Sequence, residues 1–271
     1  MPGMQLQIIV LTGASRGIGV HIAQSLAKPG VRLVLAARSE AGLETTAAMV
    51  REQGAEAVVV PCDVSKPEDI ARLVQVAGNV DILIHNAGIE QVCHAHEQDP
   101  DDAERQVRVN LIGPMRLTRA IVPGMLERGA GVVVMVSSMA GKSPTPFNAV
   151  YAATKHGLNG YASSLRLELL KTGVHVGTVC PGFVADTGMW ANGGHTAPAL
   201  FSEVSPKRVV KAVHAVIRGK PEVLVTPGPI RPMLALAQFF PRIDGFVLKN
   251  IGVLRTMRAR AIAERDAGKS E

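Results

Sequence analysis

Tyr151 and Lys155 are the residues whose types and spacing suggest chemistry most directly. They stand four apart in "AVYAATK", which brings two side chains to one helix face with Cβ atoms ~5–6 Å apart. A free phenol titrates near ~10 and exchanges protons poorly at neutral pH. An adjacent ammonium favours the phenolate and is expected to lower that value, making the pair a general acid and base. Ser138 lies upstream and can donate a hydrogen bond to a carbonyl oxygen. Tyr-x-x-x-Lys is also a common surface pair, so its meaning depends on what surrounds it.

A second stretch, "TGASRGIG" from Thr12 to Gly19, follows an apolar run. Its glycines, Gly13, Gly17 and Gly19, read G-x-x-x-G-x-G rather than G-x-G-x-x-G. Between a strand and a helix, such a turn lets backbone approach a pyrophosphate while the helix end supplies N–H groups and a positive dipole. The spacing alone is weak evidence, because 27 of the 271 residues are glycine. A site for NAD usually carries an acid ~20 residues further on, against the ribose 2′-hydroxyl. This chain has Ala36, Ala37 and then Arg38. A guanidinium grips a 2′-phosphate where an acid would repel it. Arg16, inside the glycine turn, adds a second positive charge, and the two arginines point to NADPH. The plain alternative is a pair of solvated surface charges.

These residues need elements to hold them. "LQIIVLT", "VRLVLAA", "AEAVVVPC", "DILIHNAG", "GVVVMVSS", "VHVGTVCPG" and "EVLVTP" read as strands. Helical patterns alternate with them. Ile18, Ile22 and Leu26 share one face, and further helices are expected over 39–54, about 101–128 and about 149–171. Ser65 and Glu68 form a capping-box signal. Ser205 and Pro206 open a helix carrying Val209, Val213, Val216 and Ile217. The alternation predicts an α/β fold: a Rossmann-type doubly wound parallel sheet of about seven strands with helices on both faces. Ligands in such sheets bind beyond the carboxyl ends of the strands. Those ends here are Thr12-Gly13, Arg38, Asp63-Val64, Asn86-Ala87-Gly88, Ser137-Ser138 and Pro181-Gly182. A helix cap is the plain reading of Ser138 or Asp63 taken singly. One catalytic domain is expected over 1–227, with an extension over 228–271.

The composition sets bounds. A chain of 271 residues with 47% hydrophobic content can bury a large core, and 3% aromatics leaves that core to Val, Leu, Ile and Ala. Cys62, Cys93 and Cys180 are widely spaced and odd in number, which suggests a reducing, cytoplasmic setting with packed thiols. No signal peptide or membrane span is read. The charge of +6 is uneven: 207–271 holds thirteen Lys and Arg against five Asp and Glu, and the rest is slightly acidic. That tail is apolar as well, with Ile230, Met233, Leu234 and Ala237 on one potential helix face. It is read first as a pocket lid or subunit interface, and second as contact with an anionic membrane surface or acidic carrier protein. No nucleic-acid motif is present. His94 and His96 lack a convincing third metal ligand by spacing.

Taken together, the motifs resemble those of the short-chain dehydrogenases and reductases, from about residue 6 to 226. The family's T-G-x-x-x-G-x-G turn is matched by Thr12, Gly13, Gly17 and Gly19, and its N-A-G by Asn86, Ala87 and Gly88. Its Asn, Ser, Tyr and Lys tetrad is matched by Asn110, Ser138, Tyr151 and Lys155. The resemblance implies that Tyr151 is the proton donor in reduction, that Lys155 lowers its pKa and holds the nicotinamide ribose, and that Ser138 orients the substrate oxygen. Asn110 would support a water connecting Lys155 to solvent. The dinucleotide would meet Gly13, Ser15, Arg16, Gly17, Ile18 and Gly19 at the first turn, and Arg38 at the second. Asp63 and Val64 would border the adenine, with Asn86, Ala87 and Gly88 beyond them. Tyr151, Lys155, Pro181, Gly182 and Val184 would complete the contacts. His85 stands where the family often has Asn. In "PGFVADTGMW" the family's Thr position holds Asp186, with Thr187 one later, so which of them meets the nicotinamide stays open.

The implied function is NADPH-dependent reduction of a carbonyl, or alcohol oxidation in reverse, on a hydrophobic ketone or 3-oxoacyl substrate. Phe183, Met189 and Trp190 in an expected substrate loop over 183–200 carry the hydrophobic part. An NAD-linked alcohol or steroid-type dehydrogenase is the rival, and a scaffold or sensor without turnover is a rival of another class. A homodimer or homotetramer is implied.

Overall fold

The computed structural model describes residues 6–191, 197, 202–228, 230–240, 249–250 and 252–268. Seven strands form one parallel sheet in the order β3-β2-β1-β4-β5-β6-β7. They are β1 (Gln7–Thr12), β2 (Val31–Ala37), β3 (Glu56–Pro61), β4 (Ile82–His85), β5 (Gly131–Val136), β6 (Val174–Pro181) and β7 (Glu222–Val225). The β-branched runs of the sequence account for them. Alternate residues face opposite sides, as the pleat requires. Ile9 and Leu11 of β1 join one core with Leu33 and Leu35 of β2, while Val10 joins the other with Val34 and Ala36. Both faces are therefore apolar, and helices cover both.

Helices α1 (Ile18–Leu26), α2 (Glu40–Glu52) and α8 (Pro206–Ile217) bury Ile22, Leu43 and Val213 on the first face. Helices α3 (Pro67–Ala77), α5 (Gly113–Arg128) and α6 (Ala149–Glu168) bury Leu73, Leu117 and Leu158 on the second. Further helices among the described residues include α4 (Pro100–Val107), the short α7 (Gly188–Ala191), α9 (Arg231–Phe239) and a C-terminal helix, α10 (Val253–Gly268). The strand order reverses between β1 and β4, so the crevice at the carboxyl ends opens there.

Three expectations are corrected. The helix foreseen over 101–128 is interrupted by a π turn at Arg108–Ile112. Pro114 supplies the cause, because it has no N–H to give the carbonyl of Asn110 four residues back. The capping box at Ser65 does not form. The cap of α3 is Lys66, and the Ser65 hydroxyl instead donates to Asp63 Oδ1 at 2.7 Å. Finally, α6 ends at Glu168, and Lys171 lies beyond it with φ 65.

His85 ends β4 fully buried, with Nε2 2.8 Å from Thr118 Oγ1. Burial pushes its pKa down to about 3. Between an unfolded value near ~6.5 and that folded value, the unfolded chain takes up a proton that the folded chain refuses. Stability should therefore fall as pH drops through this window. Urea unfolding of His85→Asn across a pH series is expected to show a shallower loss below pH ~6.5. An unaltered slope would remove His85 from the account.

Candidate active site

The strand ends and the segments that follow them surround one cavity of about 1000 Å³. The turn after β1 forms its floor. Gly13 and Gly17 take φ 66 and φ 63, conformations that favour glycine. A Cβ at Gly19 would lie 2.0 Å from the Gly13 carbonyl oxygen, so the start of α1 can cross the turn only with hydrogen at that place. Thr12 and Asn86 lock the turn to β4. The Thr12 hydroxyl oxygen accepts from the backbone N–H of Asn86 and Ala87, at 3.0 and 3.1 Å. Asn86 Nδ2 donates to the carbonyls of Thr12 and Gly13, at 3.2 and 3.0 Å. The Asn of the N-A-G motif thus holds the shape of the cradle.

α1 begins at Ile18 without a capping side chain or an acid in its first turn, which leaves its N–H groups and dipole directed at the cradle. Arg16 and Arg38 are exposed on the cavity wall beside Ser15, and among the described residues neither has an ion-pair partner. Asp63 and Val64 line the next part of the wall. Asp63 Oδ1 accepts from the N–H and the hydroxyl of Ser65, which fixes the carboxylate. A glycine floor, unpaired guanidinium groups and a bare helix N-terminus fit a phosphate-rich dinucleotide.

The other end of the cavity gathers the tetrad. The π turn aims Asn110 at the segment after β4: its Oδ1 accepts from Ile89 N–H, and its Nδ2 donates to the Ile89 carbonyl, each at 2.8 Å. Nδ2 also reaches Thr154 Oγ1 at 3.2 Å. A Cβ at Gly88 would lie 3.4 Å from Asn110 Oδ1 and 3.6 Å from Lys155 Nζ, ordinary contact distances that show how closely these groups converge around Gly88. Ser138 follows β5, accepts from Ala140 N–H at 3.1 Å and lines the cavity with Tyr151. Lys155 Nζ donates to the Val136 carbonyl at 3.1 Å and lies 5.5 Å from the centre of the Tyr151 ring.

The spacing therefore brings tyrosine and lysine together, but the expected lowering of the phenol is not found. Burial pushes the Tyr151 pKa above its ordinary value, and the Glu90 carboxylate adds to the rise; the Ser138 hydroxyl and the Arg260 charge act against it. Lys155 is equally buried, and loss of hydration brings its pKa down to about 8. Most of the lysine still carries its charge at neutral pH, so it is burial of the phenol itself that disfavours the phenolate. Cys62 and Cys180 are pushed up to about 12 and about 11, first by burial, which makes them packed thiols.

Pro181, Gly182 and Val184 line the cavity after β6. Asp186 and Thr187 line it too, with a difference. Asp186 has φ 58 and is exposed, whereas Thr187 is half-buried and its Oγ1 would lie 3.6 Å from a Cβ on Gly17. The left-handed residue turns the chain, so the threonine comes back to the cofactor turn one position late. Residues 192–196 and 198–200 of the expected substrate loop lie outside the described residues, as does the side chain of Ala237.

A matching family profile, for short chain dehydrogenases, covers residues 7–198. The chain is a short-chain dehydrogenase. Some relatives agree over nearly the whole length. The ketoacyl reductase HetN of Nostoc is 38% identical over 263 residues, which span 93% of this chain and 92% of that protein. A crystal structure of an actinorhodin polyketide ketoreductase with NADPH superposes with a TM-score of 0.73 at 32% identity, covering 83% of this chain and 97% of the other. A 3-oxoacyl-[acyl-carrier protein] reductase from Brucella melitensis with bound NAD gives 0.70 at 30% identity, covering 81% and 88%. As a member of this family the chain is an NAD(P)-dependent oxidoreductase that interconverts alcohol and carbonyl groups.

Of the tail, sequence reasoning singled out Ile230, Met233 and Leu234 but missed α10. Ile230, Met233 and Leu234 from the start of α9, and Val253, Met257 and Arg260 from α10, line the far end of the cavity with Phe183, Met189 and Trp190. Val253, Met257 and Ala261 pack with Val92 and Trp190 as a separate apolar cluster. Their four-residue spacing was the available signal, masked by the arginines between them. Leu236, Phe239 and Phe240 on the far side of α9 are exposed. Among the described residues no helix is long and apolar enough to cross a membrane. His94 packs edge-on against Phe147, with ring centres 4.9 Å apart.

Proposed function

We propose that this enzyme uses NADPH to reduce the carbonyl of a hydrophobic ketone or 3-oxoacyl compound. The convergence of Ser138, Tyr151 and Lys155 on the cavity that holds the glycine turn and both free arginines carries this reading. Arg16 and Arg38 grip the 2′-phosphate, and α1 receives the pyrophosphate. Asp63 and Val64 border the adenine. Thr187 faces the nicotinamide end in place of Asp186. NADPH supplies the hydride. Ser138 donates to the substrate oxygen, and Tyr151 gives its proton to that oxygen as negative charge develops there. Lys155 fixes the ribose and relays the replacement proton, and a pKa near 8 suits it to hold or release one at working pH. Asn110, with its side chain committed to Ile89 and Thr154, keeps the lysine's surroundings in place.

The hydrophobic class follows from the apolar substrate end described above. The ketoacyl reductase name of the Nostoc relative supports the 3-oxoacyl choice. A reducing, cytoplasmic setting accords with three free cysteines. A homodimer or homotetramer is supported by Leu167 and Leu170, exposed at the end of α6.

Cofactor consumption over ketones of graded chain length, with NADPH and NADH in parallel, tests the reading. Arg38→Ala is expected to weaken NADPH by about 10- to 100-fold, the loss of a charge-assisted pair, and to leave NADH unchanged. The NAD complex of the Brucella relative makes the opposite outcome concrete. Tighter NADH binding, indifferent to Arg38→Ala, would show an NAD-linked dehydrogenase.

A further inference from the structure

α10 brings one buried arginine to the substrate end. Arg260 Nη2 lies 2.5 Å from Glu90 Oε1, and the two side chains are 7% and 11% exposed. The same Nη2 donates to the Met189 carbonyl at 3.3 Å, and the guanidinium sits 5.8 Å from the centre of the Trp190 ring. Its Nε donates to Glu264 Oε1 at 2.9 Å. Each acid is held a second time. Glu90 Oε2 accepts from Asn148 Nδ2 at 3.1 Å, and Glu264 Oε2 accepts from Val92 N–H at 3.0 Å. One side chain thus joins the loop after β4, the segment after β6 and the last helix. Asn148, at the start of α6, extends the network to within three residues of Tyr151.

We propose that Arg260 is a positioning residue for the reaction: it clasps the two loops across the cavity and fixes the Glu90 carboxylate on the wall of the cavity that Tyr151 also lines. This rests on the reading of Tyr151 as the proton donor. The arginine is the ion-pair partner of this nearly buried carboxylate, and the pair is fixed at both ends by further hydrogen bonds. The groups facing the phenol are Glu90 from the loop after β4, Arg260 from α10, Cys180 from β6, Ser138 after β5 and Lys155 on α6 itself. The Cys180 thiol is neutral at working pH. Beyond burial, Glu90 opposes the phenolate and Arg260 favours it. The clasp therefore sets the substrate wall and the charge above the reacting hydroxyl together.

The pH dependence of kcat/KM for alcohol oxidation at saturating NADP⁺ reads the charge, because oxidation needs the phenolate. Glu90→Gln keeps the shape of the side chain and is expected to move the acid limb down by about half a unit to one unit. Arg260→Met should move it up by a similar amount, and the double variant should return towards the wild type. Trp190 is the only tryptophan of the chain, so acrylamide quenching of its fluorescence reads the clasp without turnover. Quenching should rise in Arg260→Met above the wild type. Should Arg260→Met not fold, Glu90→Gln alone decides the charge arm. An acid limb unmoved in Glu90→Gln, or a folded Arg260→Met with wild-type quenching, overturns the proposal. Failure of the Tyr151 reading would show separately, as turnover surviving in Tyr151→Phe, and the quenching result would still stand.

Discussion

Tyr151→Phe is expected to lower kcat for carbonyl reduction by about 10²- to 10⁴-fold, the usual contribution of a positioned proton donor. The substitution removes one oxygen. The ring stays in its cluster with Ala140, Ala152 and Met189, and Ser138 keeps its bond from Ala140 N–H. Thermal stability should therefore change little, and NADPH affinity should stay within about two-fold, since the loss falls on the transition state. Steady-state kinetics with a folding control checks both halves. Full activity in a folded Tyr151→Phe would mean that another group gives the proton, and the raised pKa of Tyr151 would then be only a sign of burial.

The second large effect is expected at Gly19. An added Cβ there would meet the Gly13 carbonyl oxygen at 2.0 Å, its carbon at 2.9 Å and Asn86 Nδ2 at 3.0 Å. Two of these atoms are backbone, and Asn86 is pinned by two hydrogen bonds, so nothing flexible can give way. Gly19→Ala should cost about 1–3 kcal/mol of stability through overpacking. It should weaken NADPH by about 100-fold or more, because the displaced turn can no longer approach a pyrophosphate. Thermal melting and NADPH titration check it. Gly160→Ala serves as the control: it sits on α6 with nothing within 4 Å of the added methyl, and should raise stability by up to ~1 kcal/mol. Normal cofactor binding by Gly19→Ala would refute the geometry of the cradle.

Local rules made much of this molecule legible. Apolar runs and glycine breaks located all seven strands, and the strand-end rule located the cavity wall from Gly13 to Gly182. The i, i+4 rule placed Tyr151 beside Lys155 but misjudged their electrostatics, because hydration depends on what covers a residue and not on its neighbours in sequence. The π turn at Asn110 was foreshadowed by Pro114, a proline inside a helical pattern. Arg260 and Glu90 were beyond reach. Each looks like an ordinary solvated charge, and only the folded chain reveals that they are buried against each other.

The clasp also has a bearing on the order in which the molecule is built. Its hydrogen bonds join Glu90 to Arg260 and Val92 to Glu264, residues 170 and 172 positions apart. Pairing at such separation comes late, because the chain between must be closed first. On a ribosome, all seven strands are synthesised before Arg260. The dinucleotide cradle, made from β1, α1 and β4, belongs to the first third of the chain, whereas the substrate wall waits for α10. Chain growth thus assembles the common half of the reaction first and the selective half last.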